Sequence, residues 1–298
     1  MRGETLLRDG RGVSIDLSAA GRYIAALAMA GFLLFLYAPT LFGLVQQWWT
    51  DPDYGYCFLV PVLSVWILWQ GRRRWRIACQ RPSLFGLVII LFAMGLLIAG
   101  TLGAERFTAR ISLLILLCGI IVFVAGRSLL RSVAFPLAYL VFMIPLPAIV
   151  FYQLTVPLQL LASRLGAHGL TVLGVRTLRE GNLLILPNCT LEVLESCSGI
   201  RSLLCLLATV TAYGHFAQAA LWKRCVLIIL VFPIAILCNG LRLVATGLLC
   251  HAAGPQADSG VFHLALGVGF FLLAFFMTWL ADEGLCCCTL RLSPRLPS

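Results

Sequence analysis

The segment Leu194-Glu195-Ser196-Cys197-Ser198-Gly199-Ile200-Arg201-Ser202 sets a thiol at the threshold of a hydrophobic run, with an arginine four residues further on. Two other fragments carry matching chemistry: Asn239-Gly240-Leu241-Arg242 inside one apolar run, and Phe262-His263 at the start of the next. A thiolate is the nucleophilic form of cysteine, a guanidinium fork stabilises an oxyanion, and an imidazole moves protons near neutral pH. The three types together point to nucleophilic attack on a carbonyl, with Cys197 attacking, Arg242 holding the developing negative charge and His263 acting as general acid and base.

The residues around them suggest supporting roles. The run after Cys197 predicts a helix that the cysteine opens, capped by Ser196 or Ser198. The positive end of that helix and the Arg201 cation at i+4 would both favour a thiolate. An arginine in the middle of a spanning helix costs roughly 3 kcal/mol on insertion scales, so Arg242 needs a partner or a water-filled cavity. Asn239, three residues earlier on the same helical face, is positioned to orient the guanidinium, and Glu195 is the alternative partner through a structural ion pair. His251 is the rival of His263 as proton carrier. Cys189, also external, is able to close a disulfide with Cys197 in an oxidising compartment, which would silence the nucleophile.

These residues are sequence-distant, so a membrane fold must gather them. Of 298 residues, 61% are hydrophobic and 11% charged, whereas a soluble domain carries about 25% charged residues. Apolar runs near 24–45, 56–70, 84–103, 110–126, 133–152, 197–216, 224–250 and 263–281 predict an all-α polytopic membrane protein with about eight transmembrane helices. The second run is short; Trp48, Trp49, Tyr54 and Tyr56 mark its outer end and Arg72, Arg73 and Arg74 its inner end. The net charge of +10 is dispersed in short clusters between apolar runs rather than along one face, which argues against nucleic acid as a partner.

The basic clusters orient the chain. Arg2, Arg8, Arg11 and Arg22, then Arg72 to Arg81, Arg127 and Arg131, Lys223 and Arg224, and Arg291 and Arg295 fall on one side, against a sparser set on the other. The positive-inside rule then makes both termini cytoplasmic, residues 1–23 a retained cytoplasmic leader and 282–298 a cytoplasmic tail. Cys197 and His263 come to the outer ends of the sixth and eighth spans, with Arg242 about 10 Å deeper in the seventh. The outer segment 153–196 reads in two parts. Leu158, Leu161 and Leu165 recur at helical spacing and suggest a short amphipathic helix on the membrane surface. The runs Asn182 to Leu186 and Cys189 to Val193, joined by Pro187-Asn188, suggest a β-hairpin that delivers the chain to Cys197.

The twelve cysteines lack the paired spacing of a zinc site, so neither metal nor cofactor is expected. Cys286-Cys287-Cys288 reads as plain tail, with acylation or metal binding as alternatives. Asn188-Cys189-Thr190 matches a glycosylation sequon, which matters only in a glycosylating compartment. No internal repeat supports transport.

At these residues the chain resembles the exosortase and archaeosortase family, prokaryotic multi-span membrane proteins regarded as cysteine transpeptidases acting on C-terminal sorting signals. The likeness rests on Glu195 to Gly199 followed by Arg201-Ser202, on Asn239 to Arg242, and on Phe262-His263. It extends more loosely to Phe58-Leu59-Val60-Pro61, Met143 to Pro147, and Leu158-Gln159 through Ala162-Ser163. One departure is Gly55-Tyr56-Cys57, where such proteins often carry a Ser-His-Gly-like stretch.

The resemblance implies a single exosortase-like membrane domain over 24–281, in a short form without an extra periplasmic domain. It implies Cys197 as nucleophile, Arg242 as transition-state stabiliser and His263 as proton shuttle; Arg201, Asn239, Glu195 and Ser198 are expected in support from the residue pattern around them. The expected setting is the bacterial inner membrane, with the site facing the periplasm. The expected partners are membrane lipids, exported proteins that carry a C-terminal sorting signal, and a lipid-linked or polysaccharide acceptor. The alternative reading is a non-proteolytic component of exopolysaccharide assembly that binds a lipid-linked sugar through Arg201 and Arg242.

Overall fold

Inside lipid every backbone donor and acceptor must be satisfied within the protein, and a helix does this within one segment. The computed structural model describes residues 17–77, 81–194, 197–218, 220–254 and 260–292. Their helices are α1 (Leu17–Thr50), α2 (Leu59–Gln70), α3 (Arg72–Ile77), α4 (Phe85–Leu102), α5 (Arg106–Tyr139), α6 (Ala148–Val172), α7 (Ile200–Ala217), α8 (Leu221–Ala253) and α9 (Gly260–Leu292). Large apolar side chains stay exposed on them, Phe35 at 79% and Trp49 at 82% among them. Such a surface suits lipid and would be a liability in water.

Among the described residues, six helical stretches are long and apolar enough to cross a membrane: Phe85–Leu102, Arg106–Met143, Ala148–Val172, Ile200–Ala217, Leu221–Ala253 and Val261–Cys286. Of the eight runs expected from sequence, the first lies in α1, which is outside this set, and the other seven map onto the helices with three differences. α2 has 12 residues and is too short to qualify alone. The fourth and fifth runs lie in one stretch, α5, that breaks at Gly126, where φ is 87° and a Cβ would fall 2.0 Å from the Arg81 carbonyl oxygen. Only glycine fits so close a backbone approach. The fifth run also lies earlier than 133–152: the helix resumes directly after Gly126, and Pro145 and Pro147 end it before α6 begins.

The third difference is α6, which is longer than the short surface helix expected over this segment. Its buried face is Phe151, Thr155, Ala162, Ser163, Gly166 and Leu170, and the Leu158-Leu161-Leu165 stripe is only partly covered. The reason lies in α8. A Cβ on Gly240 would sit 3.0 Å from Leu165, and one on Gly247 2.7 Å from Leu170, so glycines on both helices permit close contact. Leu165 meets Gly240 and Leu170 meets Gly247, so α6 and α8 run in the same direction where they touch.

Between α6 and α7 the expected hairpin is present, as β2 (Leu183–Ile185) against β3 (Thr190–Glu192). A further strand, β1 (Leu178–Glu180), pairs with β2 across the two-residue turn Gly181-Asn182, with Gly181 at φ 63°. That turn has the glycine-asparagine chemistry of tight hairpins, yet β1 was not expected, because its three residues are too few and too polar to show a period. Leu184 and Leu191 face each other in the register and are buried with Val193, Leu243 and Cys250.

A disulfide joins Cys189 to Cys250, at the end of α8. The pairing of Cys189 with Cys197 is therefore corrected: Cys189 is already bonded, and Cys197 is in no disulfide. Asn188 next to it donates to the His251 carbonyl at 3.0 Å. This sheet end of the bundle also holds the start of α7 and of α9. At the opposite end, buried Asp282 accepts from Tyr213 Oη at 2.8 Å and from Gln218 Nε2, which carries α9 past residue 281 to Leu292. Gln218 also donates to Cys286 Sγ at 3.3 Å.

The disulfide closes a loop of 61 residues that contains β3 and Cys197, and such a loop corresponds to about 4 kcal/mol in the chain-entropy account. Cys189→Ser and Cys250→Ser should each lower the thermal midpoint of the detergent-purified protein by several degrees, and the double variant should do no more than either. Thermal unfolding with and without reductant checks this; a reductant-insensitive wild-type midpoint would contradict it.

Candidate active site

The sheet leads the chain to the candidate nucleophile. Val193 N–H donates to the Asn182 carbonyl at 2.9 Å, and Cys197 N–H to the Leu194 carbonyl at 2.9 Å. Glu195 and Ser196 lie outside the described residues. α7 begins at Ile200, and its N-cap is Gly199 in the left-handed region at φ 86°. Cys197 thus stands two positions before the cap rather than in the first turn, and Arg201 is not one turn along the same helical face. Ser198 is 2% exposed, and its hydroxyl accepts from Ile200 N–H at 3.2 Å, but the cap position is Gly199 with no side-chain cap hydrogen bond, so Ser198 is not the expected N-cap.

Asn239 explains the glycine. A Cβ on Gly199 would fall 2.7 Å from Asn239 Cγ, so the turn closes directly on that side chain. Asn239 is 5% exposed, and its Nδ2 donates to the carbonyl of Cys197 at 3.0 Å. Its Oδ1 is buried and accepts no hydrogen bond among the described residues. Turning the amide over would set two oxygens against each other, so this orientation is the favourable one. Asn239 therefore fixes the backbone of Cys197, and the expected hydrogen bond from the Arg242 guanidinium to its amide oxygen is absent.

One turn further along α8, Arg242 is 9% exposed and lines a cavity of about 250 Å³. His263 of α9 and Arg201 of α7 line it too, with Tyr56 and Cys205. Arg242, His263 and Arg201 are thus brought together around one space. Cys197 is not among the described residues lining that cavity; it is buried in the cluster with Val193, Leu243 and Cys250, tied to α8 by Asn239. His251, the rival base, is at the disulfide corner beside Asn188.

Arg201 has a partner the sequence reading did not anticipate. Its Nε donates to Asp53 Oδ1 at 2.7 Å, and a second guanidinium nitrogen of Arg201 completes the ion pair. Asp53 belongs to the 3₁₀ turn Pro52–Phe58, whose Asp51 accepts from Asp53 N–H at 2.9 Å. The Arg201 charge is therefore compensated, and the pair joins this turn to α7. Asp53, Tyr56 and Cys205 were missed in sequence. The one available signal was Asp51-Pro52-Asp53, an acidic pair beside an aromatic cluster in a chain poor in acids.

Fold and site together define a polytopic α-helical membrane protein with a thiol, an arginine and a histidine at the sheet end of the bundle. The chain belongs to the transmembrane exosortase family (Exosortase_EpsH), whose model matches residues 48–280. Membership carries a membrane transpeptidase-type role. No curated relative and no solved structure matches the chain.

The Gly199 contact yields a test within the site. Gly199→Ala forces a side chain into both the left-handed region and the Asn239 amide, at a cost of about 1–3 kcal/mol. The variant should insert and form the Cys189–Cys250 disulfide, yet the Cys197 thiol should react with maleimide at a clearly altered rate. An unchanged rate would show that the turn does not position Cys197.

Proposed function

We propose that the protein is a membrane cysteine transpeptidase or endopeptidase. It cleaves the C-terminal sorting signal of exported proteins at the outer face of the bacterial inner membrane, through an acyl-enzyme on Cys197. The observation that carries this reading is the cavity shared by buried Arg242, His263 and Arg201, with Cys197 fixed next to Arg242's helix by Asn239. A guanidinium fork lining this cavity is suited to stabilise a developing oxyanion.

In the reaction, His263 takes the proton of the Cys197 thiol as sulfur attacks the scissile carbonyl. The tetrahedral oxyanion forms within reach of the Arg242 fork. Collapse breaks the C–N bond, His263 returns the proton to the departing amine, and a thioester remains on Cys197. An acceptor amine, hydroxyl or water then gives up its proton to His263, attacks the thioester and releases the thiol.

The disulfide supports the direction in which the site faces. Disulfides persist in oxidising compartments and are rare in the cytosol, so the Cys189–Cys250 bond favours an extracytoplasmic sheet end, in agreement with the distribution of arginines. The alternative, a lipid-linked sugar bound through Arg201 and Arg242, is weakened because Asp53 already neutralises Arg201.

Cys197→Ala should abolish shortening of the exported substrate while leaving the thermal midpoint within a few degrees. Cys197→Ser should fall nearly as far, since a hydroxyl is a far weaker nucleophile than a thiolate at neutral pH. Arg242→Lys should lose at least about 100-fold, because a point charge does not reproduce a planar fork. Intact mass of secreted proteins is the readout, and continued trimming by Cys197→Ala would eliminate the reading.

A further inference from the structure

An apolar cleft of about 570 Å³ lies between α1, α2 and α5 and shares no lining residue with the candidate active-site cavity. Its floor includes buried Leu44, Trp48, Ser64, Val133 and Met143, and its rims are Val45 of α1 and Val65 of α2, exposed at 46% and 65%. The cleft therefore opens sideways to lipid between these two helices.

The lining restricts what fills it. Three polar side chains contribute, and each is already used within the protein. Trp48 Nε1 donates to the Met143 carbonyl at 2.9 Å, Ser64 Oγ to the Pro136 carbonyl at 2.7 Å and Trp75 Nε1 to the Leu68 carbonyl at 3.0 Å. Among the described residues that line it, none is charged. Polar groups brought into this space would be left unpaired, so the cleft selects hydrocarbon.

Its dimensions restrict the occupant further. On α5 and the turn after it the lining runs from Leu129 to Leu140, about 16 Å at the helical rise, close to the roughly 15 Å of hydrocarbon in one leaflet. The volume spread over that length leaves a mean cross-section of roughly 35 Å², whereas a helix with its side chains fills roughly 80 Å² or more. An extended acyl chain suits such a slot, and a partner's helix does not.

The arginine-rich end of the cleft indicates the head of that chain. Trp75 of α3 lines the cleft there, and the Arg76 guanidinium lies over its ring, 5.7 Å from the centroid. Arg72 lies over Trp69 at 4.4 Å, and Arg72, Arg73, Arg74 and Arg76 are all exposed. Among the described residues no carboxylate forms an ion pair with any of these four. Guanidinium groups take phosphate oxygens in charge-assisted pairs, and a basic cluster at the end of a spanning segment attracts anionic lipid.

We infer that this cleft is a binding site for an anionic phospholipid, with its phosphate on the arginines of α3 and one acyl chain between α1 and α2 against α5. The site is separate from the Cys197 chemistry and does not depend on it.

The test is native mass spectrometry of the full-length protein in neutral detergent, titrated with phosphatidylglycerol. The double variant Arg72→Gln, Arg76→Gln should reduce retained lipid by at least about fivefold, the loss of charge-assisted contacts. Val65→Trp, which fills the cleft from its exposed rim, should reduce it as far. Val62→Trp should retain lipid as wild type does, because Val62 is 64% exposed on the same helix but off the cleft. Monodisperse elution and a formed Cys189–Cys250 disulfide report folding; should Val65→Trp fail these, Val45→Trp on the opposite rim carries the test. Wild-type retention in the folded rim variant overturns the site, as does a dimer mass that the rim variant abolishes while lipid retention is unchanged. Equal retention of phosphatidylcholine, or wild-type retention in the folded double arginine variant, overturns the headgroup assignment.

Discussion

The hydrogen bond from Asn239 to the carbonyl of Cys197 joins two parts of this molecule that lie 42 residues apart in sequence. It links the turn that leaves the sheet to the middle of α8, and it forms only because Gly199 has no side chain to hold the two apart. The disulfide closes the same loop from the other side, binding the β2–β3 turn to the end of α8. Between these two ties the cysteine has little freedom of position. That restriction is useful for a nucleophile, since misplacement by about 1 Å is enough to cost 100-fold in rate.

Burial of Arg242 is the second constraint, and it follows from the first. Asn239 and Arg242 are separated by three residues on one helix, so a helix that brings its amide to Cys197 also directs its arginine toward the same end of the bundle. The small side chains near it, Gly240 and Gly247, are taken up by α6. The remaining side of α8 is left to a cavity bordered by α9 and α7, whose lining combines Arg201, Arg242 and His263 with apolar side chains. The 3₁₀ turn Pro52–Phe58 borders that cavity and is joined to α7 by Asp53 and Arg201, an ion pair whose members are 148 residues apart.

Much of this architecture was legible in the sequence because it rests on local signals. Apolar length identifies the helices, and the dipeptide Pro187-Asn188 between two short runs identifies a hairpin. Cys197, Arg242 and His263 stood out by residue type against an apolar background. The break at Gly126 was not legible, since it depends on the approach of the Arg81 carbonyl from another segment. The same holds for α6, where the buried stripe is set by glycines on α8 and not by the leucines that announce an amphipathic period. Asp53 was hidden for a simpler reason: an ion pair between distant positions leaves no spacing to read.

The twelve cysteines show how position separates equivalent residues. Cys189 and Cys250 have become structural because the sheet and the end of α8 meet at bonding distance. Cys286 accepts hydrogen bonds from Gln218 at the opposite end, far from any part of the candidate site. Cys57 is directed at the Phe142 carbonyl, at 3.5 Å, and packs in the central core. Cys197 differs from all of these in having its backbone carbonyl held by a side chain of a neighbouring helix, Asn239, so its position is set from α8 just before the chain enters α7.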